Sequence, residues 1–359
     1  MKFNIIGPVN CLSYGYITQN LIKSLLNLGH QINLSCIGPF QPDEVYSEYV
    51  NQCSDKLDDV SPDVIIWHHF DLKRFVRPGL LNIGFPVFET NHFSQEEVKN
   101  LNSVDILLTT SSWYKEILKK NVRNDLPIYV VPLGVGTDIF HKEEKTNDNG
   151  IVKFLNIGKW EIRKGHYELV KCFGEVFKDY DDVSLTLACD NPFIGADNQK
   201  WVNFAHKFIP EHKINILPLR FNSCVDVAKL IHSHDIGIFP SKAEGFNMPL
   251  SECLACEKLC IATDYSAHTE FATKENCLLI PIEESEKMFD GQFFVGNGGT
   301  WAKLGTKQID SLKNLMEFAY RSVKSGDFHK NLQRRSSSLL EGFSWQNTAS
   351  KIIGVIENV

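Results

Sequence analysis

Two glutamates, Glu244 and Glu252, bracket the segment EGFNMPLSE. Proline is at home in a helix's first turn, so a helix is expected to begin near Met248-Pro249. Glu252 would then lie in that first turn, where the helix dipole favours a carboxylate, and Glu244 in the loop before it. A helix cap accounts for Glu252 alone. The whole loop, with Gly245, Phe246 and Asn247 between the acids, can hold an anion on its N–H groups and hydroxyls on its carboxylates. Charge of the opposite sign stands in LNIGKWEIRKGHYELV, where Lys159 follows a strand ending at Gly158 and Lys164-Gly165 opens the next helix. Two ammonium groups beside a helix N-terminus form a clamp for a diphosphate, because fixed charge and dipole both favour an anion. The plainer reading is a pair of solvated surface lysines.

Other segments carry weaker signals. The loop GPVNCLSYGYITQNL lacks the G-x-G-x-x-G fingerprint of a nicotinamide site, but it sets Gly15 at a helix start, where backbone can approach a phosphate or sugar. His68-His69 ends a strand, either as ordinary surface histidines or as a contact for an acceptor. Cys253, Cys256 and Cys260 are expected to share a helical face; no histidine stands at ligand spacing, so they read as buried packing and no metal is expected. The glycine-rich VGNGGTWAKLGTK lacks P-loop spacing and reads as a surface loop anchored by Trp301. SSWYKEILKKNVR is a basic amphipathic helix: a solvated face over an apolar stripe, or a contact with an anionic membrane surface.

These residues must be positioned by strands and helices in alternation. Apolar runs FNIIG, INLSCI, DVIIWHH, LNIGFPVF, DILLTTS and IYVVP come first; FLNIG, VSLTLAC, INILPL, IGIFPS, LCIATD and CLLIPI follow. Continuous apolar runs suit parallel strands covered on both faces. Between the first two runs, ITQNLIKSLLNLGH has helical spacing and stops at Gly29. The polar stretch His141–Gly150 reads as a linker. The chain is therefore expected to be α/β, with two doubly wound Rossmann-like domains facing across a cleft and a ligand between them at the carboxyl ends of the strands.

Composition agrees. At 359 residues the chain is too long for one ordinary core, and 43% hydrophobic with 23% charged residues is typical of a globular protein. A net charge of −7 argues against nucleic acid as the main partner. No apolar run approaches the roughly 18 residues that span a bilayer, and MKFNIIGPVN reads as a strand rather than a signal peptide. A cytoplasmic location is expected, in keeping with ten scattered cysteines, among them Cys36, Cys189 and Cys277 inside apolar strands.

Glu244, Gly245, Phe246, Pro249 and Glu252 stand in a pattern that resembles glycosyltransferase family 4, the retaining, nucleotide-sugar-dependent enzymes of GT-B fold. The resemblance extends to SSWYKEILKKNVRNDLPIYVVPLGVGTDIF, to Arg163-Lys164-Gly165 and to the strand ending in Pro240-Ser241. FSWQNTASKIIGVIE is similar to the terminal helix that crosses back to the first domain. The resemblance implies an acceptor domain over residues 1–145, rejoined by a helix near 343–359, and a donor domain over 150–342. It implies a nucleoside-diphosphate sugar (UDP-, GDP- or similar) as donor substrate, a glycan, lipid-linked or other hydroxyl acceptor, no metal and no further cofactor. Glu252 would hold the ribose hydroxyls, and Glu244 would contact the donor sugar near the reacting carbon beside the amides of Phe246 and Asn247. Lys159 and Lys164 would neutralise the leaving diphosphate. Gly15 would let the first domain close on the phosphates. Retention is commonly attributed in that family to front-face attack, with the leaving phosphate taking the acceptor's proton.

The chain departs from the family at several points. Lys159 stands for the usual arginine, keeping charge but losing the planar fork. Asn247 replaces a glycine, and asparagine tolerates positive φ better than most residues. Glu257 stands where glycine commonly follows the helix. In FPVFETNHF, Glu89 falls near a position where the family often has histidine, with His92 just beyond; Glu89 is expected to face the reacting sugars, and His68, His69 and His92 the acceptor. The loop after INILPL, with Arg220 and Phe221, is placed beside the base. Two alternatives remain at this level: a nucleotide-sugar epimerase of the same fold, and a non-catalytic subunit that binds sugar or a partner.

Overall fold

The computed structural model describes residues 1–59, 62–143, 150–218, 221–326 and 340–359. Its first half runs β1 (Lys2–Val9), α1 (Ser13–Asn27), β2 (Gln31–Phe40), α2 (Glu44–Val50), β3 (Pro62–Ile65), β4 (Leu81–Gly84), α3 (Gln95–Leu101), β5 (Ile106–Thr109), α4 (Ser112–Lys119) and β6 (Ile128–Val130). The strands form a six-stranded sheet in the order β2-β1-β3-β4-β5-β6, and every pairing is parallel. The apolar runs of the sequence become its buried strands, and Gly29, at φ +82°, stops the chain just beyond α1.

The second half runs β7 (Val152–Gly158), α5 (His166–Val176), β8 (Val183–Cys189), α6 (Asn198–Phe208), β9 (Ile214–Ile216), α7 (Cys224–His232), β10 (Ile236–Phe239), α8 (Met248–Ala255), β11 (Leu259–Thr263) and β12 (Leu278–Ile280). A second parallel sheet results, ordered β12-β11-β10-β7-β8-β9. Then come β13 (Ser285–Phe289) and β14 (Val295–Ala302), an antiparallel hairpin outside both sheets, α9 (Thr306–Ser325) and α10 (Trp345–Glu357).

Each sheet reverses direction once. In the first, the chain leaves β1 toward β2 and returns to place β3 on the other side. In the second, β7, β8 and β9 build one way, and β10, β11 and β12 the other. Such a reversal splays the loops on either side and opens a crevice at the carboxyl ends of the strands, where ligands bind in open α/β sheets. The reversal in the first sheet lies between the loops bearing Gly15 and His68-His69. That in the second lies between the loops bearing Lys159, Lys164 and Glu244.

The halves pack directly: one apolar cluster joins Tyr16, Tyr46 and Phe85 to Phe246, Leu250 and Cys253. Terminal helix α10 lies on the first half. Val135 N–H donates to the Phe343 carbonyl at 2.7 Å, and the Thr348 hydroxyl donates to that of Pro132 at 2.9 Å. A Cβ on Gly134 would collide with the Trp345 backbone, so only glycine allows this approach. Residues 144–149, at the expected linker, lie outside the described residues. Among the described residues no helix is long and apolar enough to cross a membrane.

Three expectations need correction. VGNGGTWAKLGTK is not a loop: Val295–Ala302 is β14, although Trp301 is the buried anchor foreseen. Three glycines among its eight residues hide the strand, since glycine weakens a strand interior. Cys253, Cys256 and Cys260 do not share a helical face, because α8 ends at Ala255 and Cys260 belongs to β11, though all three are buried. Cys36 is only half-buried in β2.

Candidate active site

The loop after β7 and the loop after β10 are tied together before any charge is considered. Lys242 N–H donates to the Arg163 carbonyl at 2.7 Å. Gly165, the N-cap of α5, sits at φ +72°, and a Cβ there would strike the Pro240 carbonyl. Only glycine combines that left-handed conformation with so close an approach.

A buried charge network fills the space between the loops. Lys164 Nζ donates to both Glu244 oxygens, at 2.7 and 2.9 Å. Arg163 Nη1 donates to the Ala243 carbonyl at 2.7 Å and to Glu244 Oε2 at 3.1 Å. Its Nη2 donates to Glu161 Oε2 at 2.6 Å and lies 3.4 Å from Glu89 Oε1, which comes from the other half. Lys159 Nζ pairs with Glu161 Oε1 at 3.0 Å. Ser241 Oγ donates to Glu244 Oε1 at 2.6 Å, and Glu244 N–H donates to Ser266 Oγ at 2.9 Å. Burial alone pushes the Glu244 carboxyl up, but Lys164, Arg163 and the Ser241 hydroxyl outweigh it and hold it at about 2. Glu161, buried likewise, is held at about 2 by Arg163, Lys159 and Lys164. Both acids are ionised at any working pH, so neither can take up a proton there.

The loop beyond Glu244 is held against the first half. Thr110 Oγ1 donates to the Gly245 carbonyl at 2.5 Å, and a Cβ on Gly245 would meet Val87 at 2.5 Å. Phe246 turns its ring into the core against Phe271, 4.8 Å between centroids. Asn247 adopts φ +74°, the conformation anticipated for it, and N-caps α8. Its side-chain amide is buried without a partner. Glu252 is not in the first turn of α8, as expected, but a turn later, because the helix starts at Met248. A cap or N-terminal dipole contact therefore does not explain it. The residue is 8% exposed, and its carboxyl has risen to about 8 through burial alone. Around it lie Tyr16, buried beside Tyr46, and Cys224.

The remaining expected residues separate. Gly15 is buried in the first turn of α1, where a Cβ would collide with Asn10, so the close approach there is made by its own loop. His68 lies in an aromatic nest of Tyr14, Trp67 and Phe70; burial, with His69 and Lys159 nearby, lowers it to about 4. His69 packs under α3, its Nε2 3.0 Å from Glu97 Oε1, and belongs to the frame of the first half. His92 meets the hairpin at Gly298. Arg220 lies outside the described residues, and Phe221 packs against the apolar cluster between the halves. Among the described residues no group of three His, Cys, Asp or Glu could hold a metal ion.

Arg163 and Glu161 belong to the site although neither is among the residues expected there from the sequence. Their alternation with the lysines in KWEIRK was the available signal, since charges of both signs packed into a strand-end turn are expected to pair. Ser266 gave none: its φ of +68° is invisible in sequence.

Residues 152–291, spanning both charged loops, match the family model described as glycosyl transferases group 1. No curated protein is similar enough to match. Among solved structures, sucrose-phosphate synthase from Thermosynechococcus elongatus superposes with a TM-score of 0.74 at 12% identity, covering 100% of this chain and 98% of that one. HepE of Anabaena, in complex with UDP and glucose, gives 0.71 at 13% identity, covering 100% of both chains. A glycosyltransferase from Rickettsia africae gives 0.70 at 16% identity, covering 99% of this chain and 98% of that one. The protein therefore has the two-domain GT-B fold seen in glycosyltransferase structures, and residues 152–291 of its second half are similar to the glycosyl transferases group 1 family.

Proposed function

We propose that the protein is a retaining, metal-independent glycosyltransferase that moves a hexosyl group from a nucleoside-diphosphate sugar to a hydroxyl of a glycan or lipid-linked acceptor. The observation that carries this reading is Lys164, fixed by both oxygens of Glu244 at the reversal point of the second sheet. An ammonium held there, with Lys159 beside it, is placed to stabilise charge growing on a departing diphosphate without reorganising. This is the duty a divalent cation performs elsewhere. Glu244 acts as the fixed counter-ion of Lys164, and Glu252, buried and unpaid by any protein donor, accepts the ribose hydroxyls. Glu89 faces the reacting sugars from the first half, and His68, rather than His69, borders the acceptor. Front-face attack would let the leaving phosphate take the acceptor's proton, which suits a charge network whose acids, Glu244 and Glu161, stay ionised. Residues 150–342 form the donor domain in this reading, and 1–145 with 343–359 the acceptor domain, in a cytoplasmic enzyme. Likeness to the UDP-bound HepE supports a uridine donor.

A thermal-shift panel of UDP-, GDP-, ADP- and TDP-sugars tests this, followed by mass-spectrometric detection of the released nucleotide and the glycosylated product. Binding by none of the donors would overturn it.

A further inference from the structure

The hairpin β13–β14 lies outside both sheets, yet it is built firmly onto the site. Ala302 N–H donates to the Lys242 carbonyl at 2.9 Å, in the loop that leads to Glu244. Buried Trp301 donates its Nε1–H to Glu286 Oε1 at 3.1 Å, and the same oxygen is 2.7 Å from Lys242 Nζ. Across the cleft, Asn91 and Thr300 exchange two hydrogen bonds, at 2.8 and 2.9 Å. The tip is fixed too: Asp290 Oδ1 accepts the amides of Gln292, Phe293 and Phe294 at 2.8 to 2.9 Å.

That rigid tip presents Phe293 to solvent, 47% exposed, beside Phe193 at 60%. The two rings meet edge to face with centroids 5.9 Å apart, and Gln292 Nε2 donates to the Phe193 carbonyl at 3.1 Å. The loop bearing Phe193 is equally fixed, since buried Asn191 donates to the Trp160 carbonyl at 2.9 Å. Lys159 Nζ lies 5.6 Å from one ring centroid and 5.9 Å from the other while pairing with Glu161. Two half-exposed aromatic rings, with the Lys159 ammonium over both and Glu161 paired to it, call for a ligand with an apolar face and a rim of hydroxyls. A pyranose has that form. Its axial C–H bonds meet the negative face of an aromatic ring, and its hydroxyls bond to an ammonium and a carboxylate. A lipid surface would instead need a continuous apolar patch, which Lys159, Gln292 and Asp290 interrupt.

We propose that Phe193 and Phe293, under the Lys159 ammonium, form a subsite of the second half that stacks a sugar ring of a carbohydrate acceptor reaching across from the first half. The identity of the ligand as acceptor rests on the glycosyl-transfer reading; the stacking site itself does not.

Saturation-transfer NMR with the methyl α- and β-pyranosides of glucose, galactose, mannose and N-acetylglucosamine tests it, in the presence of saturating nucleoside diphosphate. At least one pyranoside is expected to bind. Its affinity should fall at least tenfold in the double variant Phe193→Ala, Phe293→Ala and persist in Phe193→Trp, Phe293→Trp, with melting temperature and nucleotide affinity unchanged in both. The proposal is overturned if no pyranoside binds, or if the alanine variant binds as the wild type does. Flotation with phosphatidylcholine–phosphatidylglycerol vesicles covers the competing occupant: loss of vesicle binding with pyranoside binding intact would make this a lipid contact and also overturn it. Pyranoside binding that depends on Phe193 and Phe293 in a protein that takes no nucleotide would sustain the subsite while removing the transferase reading.

Discussion

Lys164 and Glu244 form a two-point contact, one ammonium to both carboxylate oxygens, inside a network that also holds Arg163, Glu161 and Glu89. The pair spans the reversal point of the second sheet, so neither partner can move without disturbing the strand ends that carry it. Glu244→Gln keeps the shape but removes the charge that compensates two cations. Losing one partner of a buried pair costs about 3–5 kcal/mol of stability, partly recovered here because a diphosphate can replace the missing charge. Nucleoside diphosphate affinity is therefore expected to stay level or rise, while turnover falls by about 100-fold or more as Lys164 loses its fixed position. Calorimetric titration and steady-state rates on the same preparation check this; parallel loss of affinity would place Glu244 on the nucleotide instead.

Glu252 should behave in the opposite way. Its folded carboxyl titrates at about 8 instead of the usual 4.5, through burial. The native state thus holds a proton that the unfolded chain has released, and between those values the ligand-free protein loses stability as pH rises, by up to about 1.4 kcal/mol per pH unit. Ribose hydroxyls donate best to the ionised form. Nucleotide affinity is expected to climb toward pH 8, by up to about tenfold per unit, and then level off. Glu252→Gln should flatten that slope, and Glu252→Ala should weaken binding outright. Titrations at pH 6, 7, 8 and 9 read the profile.

How much of this was open to a reader of the sequence depended on whether a feature was local. The apolar runs, the stop at Gly29 and the positive φ of Asn247 follow from the preferences of a few neighbouring residues, and the structure carries them. The placement of Lys159, Lys164 and Glu244 at one reversal point was also accessible, because alternation of strand and helix dictates where strand ends gather. Pairing within that site was not. That Glu244 spends its charge on Lys164, or that Arg163 reaches Glu89 across the cleft, depends on which loop tips touch. Glu252 failed for a smaller reason: a proline marks a first turn without fixing whether the count begins one residue earlier.

Arg163 ties the two halves by charge, since its guanidinium touches Glu161 and Glu244 on one side and Glu89 on the other. Lysine's compact ammonium lacks the planar fork that reaches all three carboxylates at once. Arg163→Lys is expected to lower kcat by at least tenfold with the donor KM nearly unchanged, and to lower the melting temperature. Glu89→Gln, which relaxes only the 3.4 Å contact from the other half, should affect kcat without the loss of stability. Equal melting temperatures for Arg163→Lys and the wild type would show that the network does not depend on the fork.

Glu257 follows α8 at φ +52°, a left-handed conformation that costs a side-chain-bearing residue about 1–2 kcal/mol. Its position just past Cys256, the C-cap, is where glycine normally ends a helix. The compensation is an ion pair, Lys142 Nζ to Glu257 Oε2 at 2.7 Å, but the lysine is 61% exposed and such pairs contribute about 0–1 kcal/mol. Backbone relief outweighs the lost pair. Glu257→Gly should therefore raise stability to urea by about 1 kcal/mol, and Glu257→Ala, which keeps the strain and loses the pair, should lower it. The two variants moving in opposite directions from the wild type is the outcome that backbone strain requires; a shared decrease would show that the contact with Lys142 governs this turn.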